Sequence, residues 1–352
     1  MRTRMWIEAF ACAAALSCAP AAMAQDAAAT GLNPPLTTEI HLADPSAHVF
    51  EGRIHVYGSH DIVAPPVDDQ PGAGFAMRDY RVLSMATDGG DVRVHPVALA
   101  LEDVAWADRQ LWAPDAARRD GRYFLYFPAK DRDGVFRIGV ATGDRPHGPF
   151  RPAPAPIPGA FSIDPAVFMD VDGAAYLYFG GIDGGQLQRW TSGAYVEDPA
   201  PLAAEAPAAG PRVARLSDDM MGLAGPVREI VILDEAGRPL TAGDRDRRFF
   251  EAAWIHRYGG LYYLSYSTGD THRIVYATST SPYGPFTWRG VILTPVEGWT
   301  THQSIVEVEG RWRLFYHDAA RSGDTVLRDA KWTELVHEAD GSIRTIDPSA
   351  AP

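Results

Sequence analysis

The chain has 352 residues, of which 46% are hydrophobic, so it can bury a substantial core in one large domain or two small ones. Its formal net charge of −13 argues against binding to nucleic acid or to an anionic membrane surface. The same charge leaves neutral ligands, such as sugars, open.

Residues 1–24 are typical of a secretory signal peptide. Arg2 and Arg4 give a positive start, and the apolar run at 9–19 is too short to span a membrane. The residues 22–24 (AMA) fit a small-residue cleavage site. We therefore expect export across the inner membrane, to the periplasm or the medium.

Both cysteines of the chain, Cys12 and Cys18, lie inside this leader. The mature chain is then predicted to contain neither a disulfide nor a thiolate metal site. Residues 25–35, rich in alanine and proline, are interpreted as a flexible lead-in to the folded part.

One short pattern then occurs five times. Each copy has a polar residue, a small or proline-containing stretch, a glycine turn and an aromatic-rich strand; the copies span residues 43–61, 112–131, 163–181, 250–270 and 301–319. The intervals between copies hold about four short strands each, the size of one propeller blade. The pattern predicts an all-β, five-bladed β-propeller as a single domain over residues 36–348, with an ordinary β-sandwich as the alternative.

Aligned on the turn glycine, the copies place five residues at one equivalent position, namely Asp44, Ala113, Asp164, Glu251 and His302. The innermost strand of each blade lines the central channel of a propeller, so we expect the three carboxylates to converge. Glycoside hydrolysis uses such a set, because one carboxyl must stay protonated while another stays ionised. The alternative is that the aspartates are turn residues and the glutamate a surface charge.

The motifs ADPS, WAPD, SIDPAVF, FFEAAW and TTHQSIV occur in this order, and together they resemble glycoside hydrolase family 43, whose members are five-bladed propellers acting on xylan and arabinan side chains. The resemblance covers residues 40 to about 346. It implies inversion at the anomeric carbon, with Asp44 as general base, Glu251 as general acid and Asp164 holding the acid and tuning its pKa. Inversion implies that the base and the acid lie roughly 6.5–9.5 Å apart.

The resemblance also implies that His302 approaches a metal ion, often Ca²⁺, at the channel axis. Calcium prefers oxygen ligands, so a single histidine would need water at the remaining positions. Gln303 stands where we expect a second histidine in the nearest relatives, a departure that concerns the ion site. A buried histidine satisfied by its own hydrogen bonds is the alternative.

Several further residues are candidates for holding the sugar. The small Ala113 would leave space for a sugar ring. Arg328 resembles the family arginine that reaches the bound sugar, although a surface arginine would read the same way. The aromatic candidates, each of which could instead belong to the core, are Phe75, Trp106, Trp112 and Trp299.

The resemblance favours an exo-acting enzyme that releases a terminal pentose from an oligosaccharide. The favoured prediction is a β-1,4-xylosidase, followed by an α-L-arabinofuranosidase and then by an endo-arabinanase. A non-catalytic sugar-binding propeller is the alternative from another class. The presence of all three carboxylates favours the enzyme.

Overall fold

The computed structural model describes residues 33–190 and 193–349. The predicted signal peptide and most of the predicted lead-in lie outside these residues. Within them, strands β1 to β22 form five sheets, and the helical segments are three short 3₁₀ turns at Leu101–Asp103, Asp183–Gly185 and Leu187–Trp190. In the same ranges no helix has the length and apolar character that a membrane crossing requires.

Each sheet forms one blade of a propeller. Blade one contains β1 (His41–Phe50), β2 (Arg53–Asp61), β3 (Asp79–Met85), β4 (Arg93–Val94) and β5 (Leu99–Ala100). Blade two contains β6 (Ala107–Arg109), β7 (Asp115–Arg119), β8 (Arg122–Asp131), β9 (Phe136–Gly143) and β10 (Arg151–Pro152).

The remaining blades follow in chain order. Blade three contains β11 (Ala166–Met169), β12 (Ala175–Phe179), β13 (Arg212–Arg215) and β14 (Arg228–Glu229). Blade four contains β15 (Ile232–Leu233), β16 (Glu251–Tyr258), β17 (Leu261–Ser267), β18 (Ile274–Ser279) and β19 (Phe286–Leu293). Blade five contains β20 (Gln303–Val308), β21 (Arg311–Asp318) and β22 (Asp329–Leu335). The prediction of an all-β, five-bladed propeller is confirmed.

The second strand of each repeat is buried along almost its whole length. In β12 all five residues of the run AYLYF are buried, and β8 buries every residue from Tyr123 to Lys130. Blades stack face to face, so a central strand has a neighbouring sheet on both sides. Burial of both faces explains why these strands carry continuous aromatic and aliphatic runs in place of a strict alternation.

The inner strands form a closed ring, in which β1 contacts β7, β7 contacts β11, β11 contacts β16, β16 contacts β20, and β20 returns to β1. Hydrogen bonds between blades hold the ring. The Ala47 amide donates to Ser304 Oγ at 3.0 Å, and Trp254 Nε1 donates to the carbonyl of Ile305 at 2.9 Å. The ring brings the starting ends of the inner strands together around one axis.

Asp115, from the WAPD motif, joins three blades. Its Oδ2 accepts the Val167 amide of blade three at 2.5 Å. Its Oδ1 lies 2.6 Å from His48 Nε2 and accepts a hydrogen bond from Ser46 Oγ, both in blade one. A buried carboxylate satisfied by this many partners stabilises the ring rather than reacting.

Candidate active site

A pocket opens where the inner strands begin. Together with the open solvent at its mouth, the pocket holds about 530 Å³. Of the residues predicted for the site, it is lined by Asp44, Phe75, Trp112, Ala113, Asp164, Glu251, Trp299, His302 and Arg328. The radial convergence expected from the repeat is therefore present in the structure.

Asp44 lies in β1 and is almost completely buried. Its Oδ1 accepts a hydrogen bond from Arg328 Nη1 at 2.9 Å. Burial alone would raise the pKa of this carboxyl, but its polar neighbours, chiefly the Arg328 guanidinium, outweigh burial and lower the pKa below its ordinary value. Asp44 is therefore ionised at neutral pH.

His317 holds the backbone of Asp44 by a hydrogen bond and adds no charge. Its Nδ1 accepts the backbone amide of Asp44 at 2.9 Å, and its Nε2 donates to the carbonyl of Thr300 at 3.0 Å. Burial, with Arg328 nearby, lowers the pKa of this imidazole to about 3. The neutral ring thus fixes the backbone of Asp44, and the positive charge beside the carboxylate comes from Arg328.

Arg328 is held in turn by Asp61, which sequence reasoning missed. The Arg328 guanidinium donates from Nε to Oδ2 and from Nη2 to Oδ1 of Asp61, both at 2.8 Å. The guanidinium also lies over the Phe75 ring, 4.7 Å from its centroid. Asp61 is the last residue of the first copy of the repeat, but that position does not report its contact with a residue 267 positions away.

Glu251, the first residue of β16, has the opposite electrostatics. Its side chain lines the pocket, and the residue remains partly exposed. Burial of the carboxyl and the negative charge of Asp44 raise its pKa to about 8, with Arg328 opposing the shift. Most of this carboxyl is protonated at neutral pH, as a general acid requires.

Asp164 lines the same pocket as the other two carboxyls and is 5% exposed. Its Oδ2 accepts the backbone amide of Ala252, the residue after Glu251, at 2.9 Å. Burial, and then the charges of Glu251 and Asp44, raise the pKa of Asp164 well above its ordinary value. Asp164 and Glu251 titrate as a pair, which retains at least one proton at neutral pH.

The register of the inner strands corrects one detail of the repeat. In β1 the pairing shifts just after Ala43, which leaves Asp44 inside a bulge with φ of 54°. In β16 the pairing shifts just after Glu251, which leaves Ala252 inside the bulge with φ of 61°. The prediction that Glu251 is equivalent to Asp44 is wrong by one residue, because counting back from the turn glycine does not locate the bulge.

Aromatic rings form the wall of the pocket. The indole of Trp112 donates to the Phe75 carbonyl at 2.8 Å, and the two rings meet edge to face. Trp299 is 44% exposed and lines the same pocket. The small side chain of Ala113 lines the same pocket.

The prediction that Trp106 lines the pocket is wrong. Its ring stacks on Phe127 within blade two, with a centroid separation of 5.9 Å, and it packs against a core cluster. Trp106 is absent from the lining of the pocket formed by the described residues. Its closeness in sequence to Trp112 misled the prediction, since Trp106, just before β6, packs its side chain against the core.

His302 lines the pocket, with its Nδ1 4.0 Å from Asp164 Oδ2. Burial lowers the pKa of the imidazole to about 4, so the ring is neutral and available as a ligand. Among residues 33–190 and 193–349, however, no group of three or more histidine, cysteine, aspartate or glutamate side chains is arranged to hold a metal ion. Calcium takes six to eight ligands, mostly oxygen, so an ion beside His302 would have water at most of its positions.

Comparison with known proteins agrees with this architecture. The family model described as glycosyl hydrolases family 43 matches residues 92–343. The chain is 55% identical over 324 residues to xylosidase/arabinosidase 43A of Humicola insolens, covering 89% of this chain and 99% of that protein. It is 53% identical over 309 residues to a xylosidase/arabinosidase of Bacteroides ovatus, covering 87% and 95%.

Solved structures give the same result. A family 43 β-xylosidase/α-arabinofuranosidase from a compost microbial metagenome, solved with xylotriose in a calcium-free form, superposes with a TM-score of 0.89 and 59% identity, covering 92% of this chain and 99% of that one. A family 43 enzyme of Xanthomonas citri complexed with xylotriose superposes with a TM-score of 0.87 and 56% identity, covering 92% and 96%.

Proposed function

The chain belongs to glycosyl hydrolase family 43 and is a glycoside hydrolase, and we propose that it is an exo-acting, inverting β-1,4-xylosidase that releases xylose from the ends of xylo-oligosaccharides. The observation that carries this proposal is the contrast within one pocket between Asp44, ionised beside Arg328, and Glu251, whose pKa is raised to about 8. An inverting glycosidase needs one carboxyl in each state.

The proposed reaction is a single displacement at the anomeric carbon. Asp44 takes a proton from a water molecule as the water oxygen bonds to that carbon. Glu251 gives its proton to the glycosidic oxygen as the bond between the carbon and that oxygen breaks. Asp44 ends protonated and Glu251 ends ionised, and exchange with solvent restores both.

The shape of the site supports cleavage at a chain end. A pocket walled by Phe75, Trp112 and Trp299 accommodates a terminal sugar better than the middle of a long polymer. This shape disfavours an endo-arabinanase, which needs an open groove. The relatives solved with xylotriose support a xylo-oligosaccharide substrate.

The α-L-arabinofuranosidase reading is the second candidate, because relatives more than 50% identical carry both xylosidase and arabinosidase in their names. The deciding experiment compares kcat/KM for nitrophenyl β-xyloside and nitrophenyl α-arabinofuranoside, and follows xylobiose hydrolysis by proton NMR. We expect the xyloside to be preferred and the first product to be α-xylose. Initial release of β-xylose would contradict inversion, and absence of turnover with retained sugar binding would favour a non-catalytic propeller.

We propose that calcium binds at the propeller axis beside His302, which lines the pocket, with water at the remaining positions of the ion. A relative known in a calcium-free form supports a role for the ion in the family. No step of the reaction is assigned to it. We expect calcium added after EDTA treatment to raise the Tm of the wild type but not of His302→Ala; an identical response of the two proteins would contradict this site.

We also propose that residues 1–24 direct export, so that the mature enzyme works in the periplasm or the medium. The charged start, the short apolar run and the small residues before Gln25 support this. N-terminal sequencing of the protein recovered from a Gram-negative host should begin at Gln25. Retention of Met1 on cytoplasmic protein would contradict export.

A further inference from the structure

We propose that Gln303 is a positioning residue for the general acid: it locks the left-handed bulge at Ala252, and the bulge directs Glu251 into the pocket. This inference rests on the proposed function and deepens it. Gln303 does not line the pocket in the described structure, so it acts through the backbone and not on the sugar.

The bulge needs an external restraint. Ala252 has φ of 61°, a conformation that residues with a Cβ rarely adopt. Such a conformation persists only where its surroundings determine it. The register of β16 also breaks between Glu251 and Trp254, so the intervening backbone lacks the regular hydrogen bonds of the ladder.

Two side chains from neighbouring blades supply what the ladder does not. The Ala252 amide donates to Asp164 Oδ2 at 2.9 Å, from blade three. The Ala252 carbonyl accepts Gln303 Nε2 at 2.8 Å, from blade five. Both polar groups of the residue that follows the acid are therefore held, one by a carboxyl of the site and the other by Gln303.

The chemistry of Gln303 suits this task. The side chain is completely buried, and Nε2 also donates to Ser265 Oγ at 3.2 Å. Its Oε1 is buried without a hydrogen-bond partner among the described residues. Burying an unpaired acceptor is unfavourable. The favourable interactions of this side chain are therefore the hydrogen bonds that Nε2 donates. A histidine at this position would offer a different donor geometry to the Ala252 carbonyl, and an ionised carboxylate would offer no donor.

The test separates positioning of the acid from general damage. Gln303→Met keeps the approximate size and removes the donor; Gln303→Asn keeps the amide and shortens its reach. Each is assayed with xylobiose, whose leaving group needs a proton, and with dinitrophenyl β-xyloside, whose leaving group does not. Because general acid catalysis contributes about 10²- to 10⁴-fold, we expect kcat for xylobiose to fall about 30-fold and kcat for the dinitrophenyl substrate to fall less than about threefold.

A matched control and a rescue complete the design. Ser265→Ala removes the other partner of Gln303 Nε2 and leaves the bond to Ala252, so we expect the ratio of the two rates to stay within about twofold of wild type. Adding Ala252→Gly to Gln303→Met should restore much of the xylobiose rate, since glycine adopts a positive φ without strain. The Tm of each variant is recorded alongside its rates.

An equal loss on both substrates, an unchanged xylobiose rate, or no rescue by Ala252→Gly would overturn the role of Gln303. Failure of the proposed function is visible separately, in the wild type. Wild-type turnover of α-L-arabinofuranosides in place of xylosides would contradict the xylosidase proposal. Gln303 would then be tested by the ratio of rates on two arabinosides, one whose leaving group needs a proton and one whose leaving group does not.

Discussion

Two carboxyls of the pocket, Asp44 and Glu251, have opposite surroundings. Asp44 is paired with a buried arginine, and its pKa lies below the ordinary value. Glu251 is partly exposed and feels the charge of Asp44, and its pKa is raised to about 8. The same chemical group therefore favours the ionised form in blade one and the protonated form in blade four.

The difference shows that the repeat supplies the two carboxyls, while their protonation states depend on their neighbours. Both carboxyls belong to copies of one pattern, yet Arg328 lies beyond the last copy and reaches back to the first. Arg328 lowers the pKa of Asp44, whereas at Glu251 it only opposes the increase that burial and the charge of Asp44 cause. The buried cation thus explains the ionised state of Asp44, and burial explains the protonated state of Glu251.

The largest expected effect comes from removing each carboxyl in turn. We expect Asp44→Asn to lower kcat about 10²- to 10⁴-fold on xylobiose and on dinitrophenyl β-xyloside alike, because both substrates need an activated water. Glu251→Gln should lose a similar factor on xylobiose only. Steady-state rates of both variants on the two substrates measure this difference. If Asp44→Asn instead lost activity on xylobiose only, and Glu251→Gln on both substrates, the assignment of base and acid would be reversed.

Breaking the ion pair should have the next largest effect. Arg328→Met leaves burial to raise the pKa of Asp44, so the acidic limb of the pH–rate profile should move to higher pH, and kcat at pH 6 should fall roughly 10-fold. Asp61 loses its partner as well, and unfolding should require about 3–5 kcal/mol less free energy. Urea denaturation and a pH profile of kcat/KM measure the two effects, and an unmoved acidic limb would contradict the role of Arg328.

The raised pKa of Glu251 predicts two pH dependences with the same sign. Activity requires the protonated form, so kcat/KM should fall as pH rises through about 8. The folded state also holds this proton more tightly than the unfolded state, whose glutamate titrates near its ordinary 4.5, so its contribution to stability is full below that pH and is lost as pH rises through about 8.

Thermal unfolding of Glu251→Gln checks the second dependence, because glutamine removes the titration. The variant should gain Tm relative to wild type at pH 9 and show little difference at pH 4. A gain that is equal at both pH values would contradict a buried, protonated glutamate.

The smallest expected effect comes from Asp183. This exposed aspartate lines the pocket, and its negative charge contributes to the raised pKa of Glu251. Asp183→Asn should move the basic limb of kcat/KM to lower pH by a few tenths of a unit, since the group is screened by solvent. The difference between the basic limbs of the variant and the wild type should shrink in 1 M salt. A basic limb that moves to higher pH in the variant would contradict the role of Asp183.

Much of the fold could be predicted, because it depends on local signals that recur. Glycine turns, aromatic strands and the spacing of the copies indicate blades, and a ring of blades brings the starts of the inner strands together. Asp44, Asp164 and His302 follow directly from this geometry. Glu251 was found as well, although the bulge places Ala252 at the equivalent position.

The errors and omissions concern contacts between parts of the chain that are far apart in sequence. Trp106 and Trp112 look alike in the sequence, and only packing shows that Trp106 stacks inside blade two. Asp61 meets Arg328 across 267 residues, and Gln303 meets Ala252 across 51. No periodicity or motif in a single sequence reports which of many polar side chains will meet.

The sequence by itself determined the number of blades, the family and the three carboxyls, because repeated local patterns and motifs carry that information. The tertiary structure alone decided which carboxyl is ionised and which is protonated. Protonation depends on burial and on the distance to charges from other blades, and both quantities exist only after the ring has closed.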